Sequence, residues 1–203
     1  VEALALAASR ERQIDEGELS GRWAPVLGAR TDEAQLYLYD LLPGGAGYAR
    51  AVGAALDDVL AVTEALLGAC DCSSSCYRCI RHYGNNYIHA SLDRHLALHL
   101  LRHLRSGSVP SVSAAERRSA LIGLREYLNL RGFGVQEAVS AGGVEVPLVI
   151  SVGDREVWVD VHHPLVDPGA QPSDVSTAAQ DTFQELVELD SFTLVHDLPS
   201  AVA

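Results

Sequence analysis

Apolar positions recur at two different periods along this chain, and the change of period divides it. The opening VEALALAASR reads as a short helix with Leu4 and nearby alanines on one face, and RQIDEGELSG is polar and turn-rich. LYLYD, Leu36 to Asp40, alternates and runs into LPGGAG, as a strand entering a glycine turn does. From Tyr48 onward Val52, Leu56, Val59, Val62 or Thr63, and Leu66 recur at helical spacing, which predicts one long helix ending at Ala69. SLDRHLALHLLRHL predicts a second helix, N-capped by Ser91, with Leu92, Leu96 and Leu100 stacked along its buried side.

RSGSVPSVS, Arg105 to Ser113, has small residues, a proline and no periodicity, and reads as a linker. Beyond it AAERRSALIGLREYLNLRG predicts an amphipathic helix closed by Gly132. FGVQEAV, VEVPLVISV and REVWVDVHH predict three strands parted by glycine-containing turns. Thr177 to Leu189 reads as a further helix and FTLVH as a last strand, giving the order αβββαβ. The fold class expected is therefore α/β in the broad α+β sense. A helix-rich domain with a short strand spans residues 1–105, a linker 106–113, and an α/β module 114–203.

Composition narrows the chemistry. The 203 residues and 48% apolar content suffice for a sizeable core. No apolar run approaches the roughly 18 residues of a membrane span, and no basic, then apolar, leader opens the chain. These features point to a cytoplasmic protein that does not enter the membrane. All 15 basic residues are Arg, so no Walker A lysine, Schiff-base lysine or nuclease-motif lysine can come from this chain. A sequence that starts at Val1 and lacks Met reads as a fragment or processed product of a longer protein.

The net charge of -12 argues against nucleic-acid binding by the whole surface, but its distribution is uneven. Residues 70–105 carry Arg78, Arg81, Arg94, Arg102 and Arg105 against Asp71 and Asp93, with five His besides. From residue 106 onward 14 acids face five Arg.

Every cysteine lies in CDCSSSCYRC, Cys70 to Cys79, with spacing CxCx3CxxC. Disulfides require an oxidising compartment, which nothing here indicates, and the intervening Asp, Ser and Arg do not form an apolar stripe for core thiols. A redox dithiol leaves two of the four unexplained. Four thiolates within ten residues match a closed tetrahedral site for one Zn²⁺, in preference to an iron–sulfur cluster, whose ferredoxin spacing differs. Cys70, Cys72, Cys76 and Cys79 are the predicted ligands. With all four positions filled by sulfur, the ion holds structure and does not catalyse.

Such an ion would order the connection YRCIRHYGNNYIH and present Arg78, Arg81, Tyr83, Asn85, Asn86 and Tyr87, with His82 and His89, on one surface. Those residue types suit phosphate contact and base stacking, which makes DNA the expected partner through residues 77–105. Packing around the site is the competing role for each of them. His95, His99 and His103 share a helix face, solvated or at the core edge. Gly44, Gly45 and Gly47 could free N–H groups for an anion, but match neither a Walker A loop nor GxGxxG, and a tight turn accounts for them.

LYLYDLLPGGAGYAR, then a long helix, then CDCSSSCYRCIRHYGNNYIHASLDRHLAL together resemble the MrfA-type zinc-binding domain found at the carboxy terminus of superfamily 2 DEAD/DEAH-type helicases. The resemblance covers about residues 1 to 105. It implies the same four zinc cysteines and a parent protein that is an ATP-dependent DNA helicase. It also implies a setting in DNA repair or in helicase-associated anti-phage systems such as DISARM. One departure is the pair Asn85-Asn86, where members often carry Asn-Gln.

The αβββαβ order of the carboxy-terminal module also resembles the core of PD-(D/E)xK nucleases, in degenerate form. Pro147 is followed by Leu148 where Asp is expected, and Asp160-Val161-His162 stands at the (D/E)xK triplet with His for Lys. Glu145, Asp160 and His162, with Asp154 and Glu156, would be the residues of an alternative metal-dependent nuclease. The leading expectation is a non-catalytic, zinc-stabilised module that binds DNA or docks the helicase core or a partner subunit. A pure interaction scaffold is the third reading.

Overall fold

The computed structural model describes residues 1–15, 17–26, 28 and 33–202. The chain forms two compact units, Val1–Ser108 and Val109–Ala203.

The first unit opens with α1, Glu2–Arg12, whose buried residues Ala3, Ala7, Ala8 and Ser9 are all small. A side so short lets the neighbouring helix approach closely. The passage after it, of which Glu16 lies outside the described residues, contains a strand that its polar composition conceals. This β1, Leu19–Pro25, pairs antiparallel with β2, Ala34–Asp40, from Leu19 opposite Asp40 to Pro25 opposite Ala34.

The single helix expected from Tyr48 to Ala69 is two. α2, Tyr48–Ala54, and α3, Leu56–Gly68, are separated at Ala55 (φ -127°, ψ 36°). The break resets the phase, so Val59, Thr63 and Leu67 are buried while Leu56 is half exposed. One apolar cluster joins Ala8, Ile14, Leu19, Val52 and Val59.

A 3₁₀ helix, Tyr83–Ser91, kinked at Asn85, leads to α4, Arg94–Ser106. Its N-cap is Asp93, not the predicted Ser91, because the Asp93 carboxylate accepts from the N–H groups of His95 and Leu96 at 2.8 and 2.9 Å. Starting two residues later turns the helix. Its buried positions are Arg94, Leu98 and Leu101, whereas Leu100 lies outside.

The second unit starts with α5, Ala114–Leu130, closed at its N-terminus by a reciprocal Ser113–Glu116 capping box. Gly132 (φ 83°) ends it in the left-handed conformation. A sheet follows in the order β3-β4-β5-β6, comprising β3 Gly134–Ala141, β4 Val144–Val152, β5 Arg155–His162 and β6 Glu185–Asp190. β3, β4 and β5 are antiparallel neighbours, and β6 lies parallel to β5 after the crossover helix α6, Asp174–Asp181. α5 covers one face through Leu121, Leu124 and Leu128 against Leu148, Val159 and Val161. α6 covers the other through Val175 and Ala179 against Val149 and Trp158.

The mixed α/β class and the αβββαβ order are present, with two elements displaced from their predicted positions. ELVELD is strand β6, not helix, and FTLVH lies in helix α7, Ser191–His196, whose N-cap Asp190 accepts from Thr193 N–H at 2.8 Å. A short α8, Leu198–Ala201, ends the described chain. No described helix is long and apolar enough to cross a membrane.

Candidate metal centre

α3 ends at Gly68 and delivers Cys70 and Cys72 just past its last turn. The chain then reverses through three serines. A tight turn, in which Cys79 N–H and Arg81 N–H both donate to the Cys76 carbonyl at 3.1 and 3.0 Å, brings the second pair of sulfurs back.

The resulting Sγ···Sγ distances are 3.5 Å for Cys70–Cys72 and for Cys70–Cys76, 3.7 Å for Cys72–Cys79 and 3.8 Å for Cys76–Cys79. A tetrahedron of sulfurs about 2.3 Å from a central zinc has edges of about 3.8 Å. All four sulfurs lie within 4.8 Å of one another, so one ion fits among them. A disulfide would bring two to about 2.05 Å, and all four thiols are free.

The site is one wall of a hydrophobic cluster. Cys79 and Ile80 are buried with Ala3, Leu67, Leu98 and Leu101, and the other three cysteines pack against that group. The thiols are not equivalent. Burial pushes Cys72 up to about 12, while the backbone N–H of Arg78 draws Cys76 down to about 6. Zinc takes thiolates, so the ion displaces the protons these crowded sulfurs would otherwise share.

Two residues hold the surroundings in place, a role that the sequence alone assigned to neither. Arg94 is buried; its Nε donates to the Cys72 carbonyl at 2.9 Å, its Nη1 to the Leu67 carbonyl at 3.0 Å, and its N–H to the Ser74 carbonyl at 2.8 Å. One side chain thus ties the end of α3, the cysteine loop and the start of α4. In the sequence Arg94 closes the LDR element of the family resemblance and counts among the basic residues of 70–105, and its spacing with Leu98 and Leu101, the buried stripe of α4, is what points inward. Glu2 of α1 meets the segment after the cysteines, accepting from Asn85 Nδ2 at 2.8 Å and lying 3.1 Å from His82 Nε2.

The predicted contact residues separate into two groups. Asn85 is 2% exposed; its Oδ1 accepts from His82 N–H at 2.8 Å and its Nδ2 donates to the Ile80 carbonyl at 3.0 Å. Its amide closes the fold, which removes Asn85 from the candidate surface. Arg81 is half-buried, with Nε donating to Ser75 Oγ at 2.8 Å. Tyr83 and Tyr87 are 86% and 82% exposed, Asn86 and Arg78 are exposed, and the Tyr77 ring stands edge-on to His89 with centroids 5.4 Å apart. Three of the five arginines of residues 70–105 are engaged within the fold. Arg102 and Arg105 both pair with Glu64, at 2.9 and 2.7 Å, and Arg94 is internal.

Residues 1–80 match the family model of the MrfA Zn-binding domain, whose last matched residues, Cys70 to Ile80, carry the sulfur cluster just described. That stretch is similar to the MrfA Zn-binding domain. The compact unit containing it runs on to Ser108 and includes α4 and Arg94. The chain is also 40% identical over 171 residues to Druantia protein DruE of Escherichia coli (strain UMEA 4076-1), a match covering 82% of this chain. It spans 9% of that relative's length. No solved structure matches the chain.

The glycine turn preceding α2 is not an open anion site. Asp40 Oδ2 accepts from Gly47 N–H at 2.6 Å and Tyr48 N–H at 3.2 Å, and Oδ1 from Ala49 N–H at 2.7 Å, so the chain's own carboxylate occupies the place. His95 is exposed and His103 Nδ1 lies 2.9 Å from the Ser108 carbonyl. In the second unit Asp160 is 2% exposed; its Oδ2 accepts from Ser173 Oγ at 2.5 Å, and Arg117 Nη1 lies 3.7 Å from Oδ1. Glu145, Asp154 and Glu156 are exposed. Among the described residues the cysteine quartet is the group of His, Cys, Asp and Glu that could hold an ion. Glu145, Asp160 and His162 therefore do not assemble the nuclease-like cation site, because a guanidinium and a hydroxyl already engage the one buried acid.

Proposed function

We propose that this chain is a non-catalytic, zinc-clamped module of a helicase-like anti-phage defence protein, and that it contacts DNA through the surface the clamp orders. The observation that carries the reading is the position of the four sulfurs. They sit between α3 and the segment that exposes Tyr77, Arg78, Tyr83 and Tyr87, so an ion held there fixes that surface relative to the core. The defence setting rests on the likeness to Druantia protein DruE, of which this chain spans 9%; ATP hydrolysis, implied by the sequence resemblance to helicase-associated domains, is proposed for the rest of such a polypeptide. DNA repair, the other setting that the sequence suggested, has no comparable support.

The test is DNA binding by the zinc-loaded chain at low and raised salt, with mixed single-stranded and duplex DNA. Binding that weakens with salt, falls in Arg78→Ala/Arg81→Ala and is lost on chelation supports the proposal. Absence of binding, or binding indifferent to the two arginines, overturns the DNA role.

A further inference from the structure

We infer that the exposed rings of Tyr83 and Tyr87 take single-stranded DNA by base stacking, and that duplex DNA is the poorer ligand; this rests on the DNA-binding reading above. Two rings exposed by 86% and 82% are placed in water by a segment that is itself well anchored. Asn85, between them, is buried and bonded to His82 N–H and the Ile80 carbonyl, and His89 Nε2 lies 2.9 Å from Asn85 Oδ1 and 3.2 Å from the His82 carbonyl. The rings are therefore presented by a backbone whose order is already established, and each has only two side-chain torsions to restrict on binding.

The electrostatics select the form of nucleic acid. From Cys72 to Leu92 there is no Asp or Glu, in a chain that carries 27 of them. Glu2, which reaches this segment, is engaged by His82 and Asn85. Carboxylates therefore add no repulsion of a polyanion within this segment, and the charge it meets is that of the four thiolates around one Zn²⁺, a net of about -2 beside Arg78. Yet of the five arginines between residues 77 and 105, Arg94 is buried and Arg102 and Arg105 are paired with Glu64, while Arg78, drawn to the Cys76 sulfur, and Arg81, half-buried with Nε on Ser75 Oγ, keep only part of their guanidinium for phosphates. Two cations are too few to hold a duplex whose affinity comes chiefly from phosphate contacts. Stacking must supply the rest, and the faces of bases are open only where the strands are unpaired.

The experiment uses the zinc-loaded full chain, a labelled oligothymidine of about 15 nucleotides and a labelled duplex of the same length, read by fluorescence anisotropy. The single strand is expected to bind more tightly, with a log–log salt slope of about -1.4 for two phosphate contacts. Tyr83→Ala and Tyr87→Ala are each expected to weaken it about 5- to 150-fold, with zinc content unchanged, whereas Tyr83→Phe and Tyr87→Phe retain it. Equal or tighter duplex binding, or alanine variants that bind like the parent chain, overturns this inference and leaves the DNA reading standing. Binding to neither form overturns both.

Discussion

Arg94 and Cys72 are joined through the backbone: the buried Arg94 Nε–H donates to the Cys72 carbonyl oxygen at 2.9 Å, while Nη1 of the same guanidinium reaches the Leu67 carbonyl at 3.0 Å. The metal loop is thus held from outside the cysteine motif, by the first residue of α4.

Arg94→Ala leaves two carbonyls near the core without their charged donors, so a destabilisation of about 3 kcal/mol is expected for the first unit. Arg94→Lys recovers little of it, because a single ammonium lacks the planar fork that spans both oxygens. The urea midpoint of zinc release, read with a chromogenic chelator, checks this. A lysine variant indistinguishable from the parent contradicts it.

Asp40 closes the glycine turn and shows a defined pH dependence. The Ala49 N–H, with those of Gly47 and Tyr48, holds its carboxyl below the ordinary value of 3.8. A depressed acid contributes stability that is fully present above its unfolded-state value and lost as pH falls through its folded-state value. Asp40→Asn should therefore melt lower than the parent at neutral pH and converge with it in acid, below pH 3.8. Zinc loss in acid is common to both proteins, so the difference in melting temperature is the quantity to follow. A constant difference across the scan contradicts the account.

Phe183 lies just past the end of α6 with φ 54° and 97% exposure, where glycine is the favoured residue. The conformation costs a side-chain-bearing residue about 1 kcal/mol, and the exposed ring returns nothing within the described fold. Phe183→Gly is expected to raise the stability of the second unit by up to about 1 kcal/mol, measured by thermal unfolding. A loss of stability would show that the ring makes a stabilising contact.

Asp160 organises the second unit through Ser173 and Arg117. Asp160→Ala is expected to cost about 2 kcal/mol by leaving the Ser173 hydroxyl and the Arg117 guanidinium without their acid. Thermal unfolding checks this, and plasmid incubated with Mg²⁺ and either protein should give the same result. Cleavage by the parent chain that disappears in the variant would restore the nuclease alternative.

What the sequence made legible were features with a strong local signature. Four cysteines in ten residues specify a metal site because ligand chemistry and spacing coincide, and Gly132 after an amphipathic run marks the end of α5. Less was readable where the outcome depends on partners distant in the chain. LSGRWAP begins inside the polar, turn-rich RQIDEGELSG and carries no strand signal of its own, yet it is a strand because β2 supplies its hydrogen bonds. ELVELD suits either period, and the helix before it ends without a glycine because Phe183 takes the left-handed conformation. The break at Ala55 has no proline to announce it. Asn85 and Arg94 belong to residue types usually exposed, and only the folded chain shows them buried and bonded.

One zinc ion, held by Cys70, Cys72, Cys76 and Cys79, clamps the first unit. Elemental analysis of the purified chain, followed by hydrogen exchange before and after chelation, tests it most directly. About one zinc per chain is expected, with chelation deprotecting α3, the 3₁₀ helix and α4 while leaving the sheet of the second unit unchanged. Bound iron, substantially less than one zinc, or unaltered protection of the first unit after complete metal removal would contradict it.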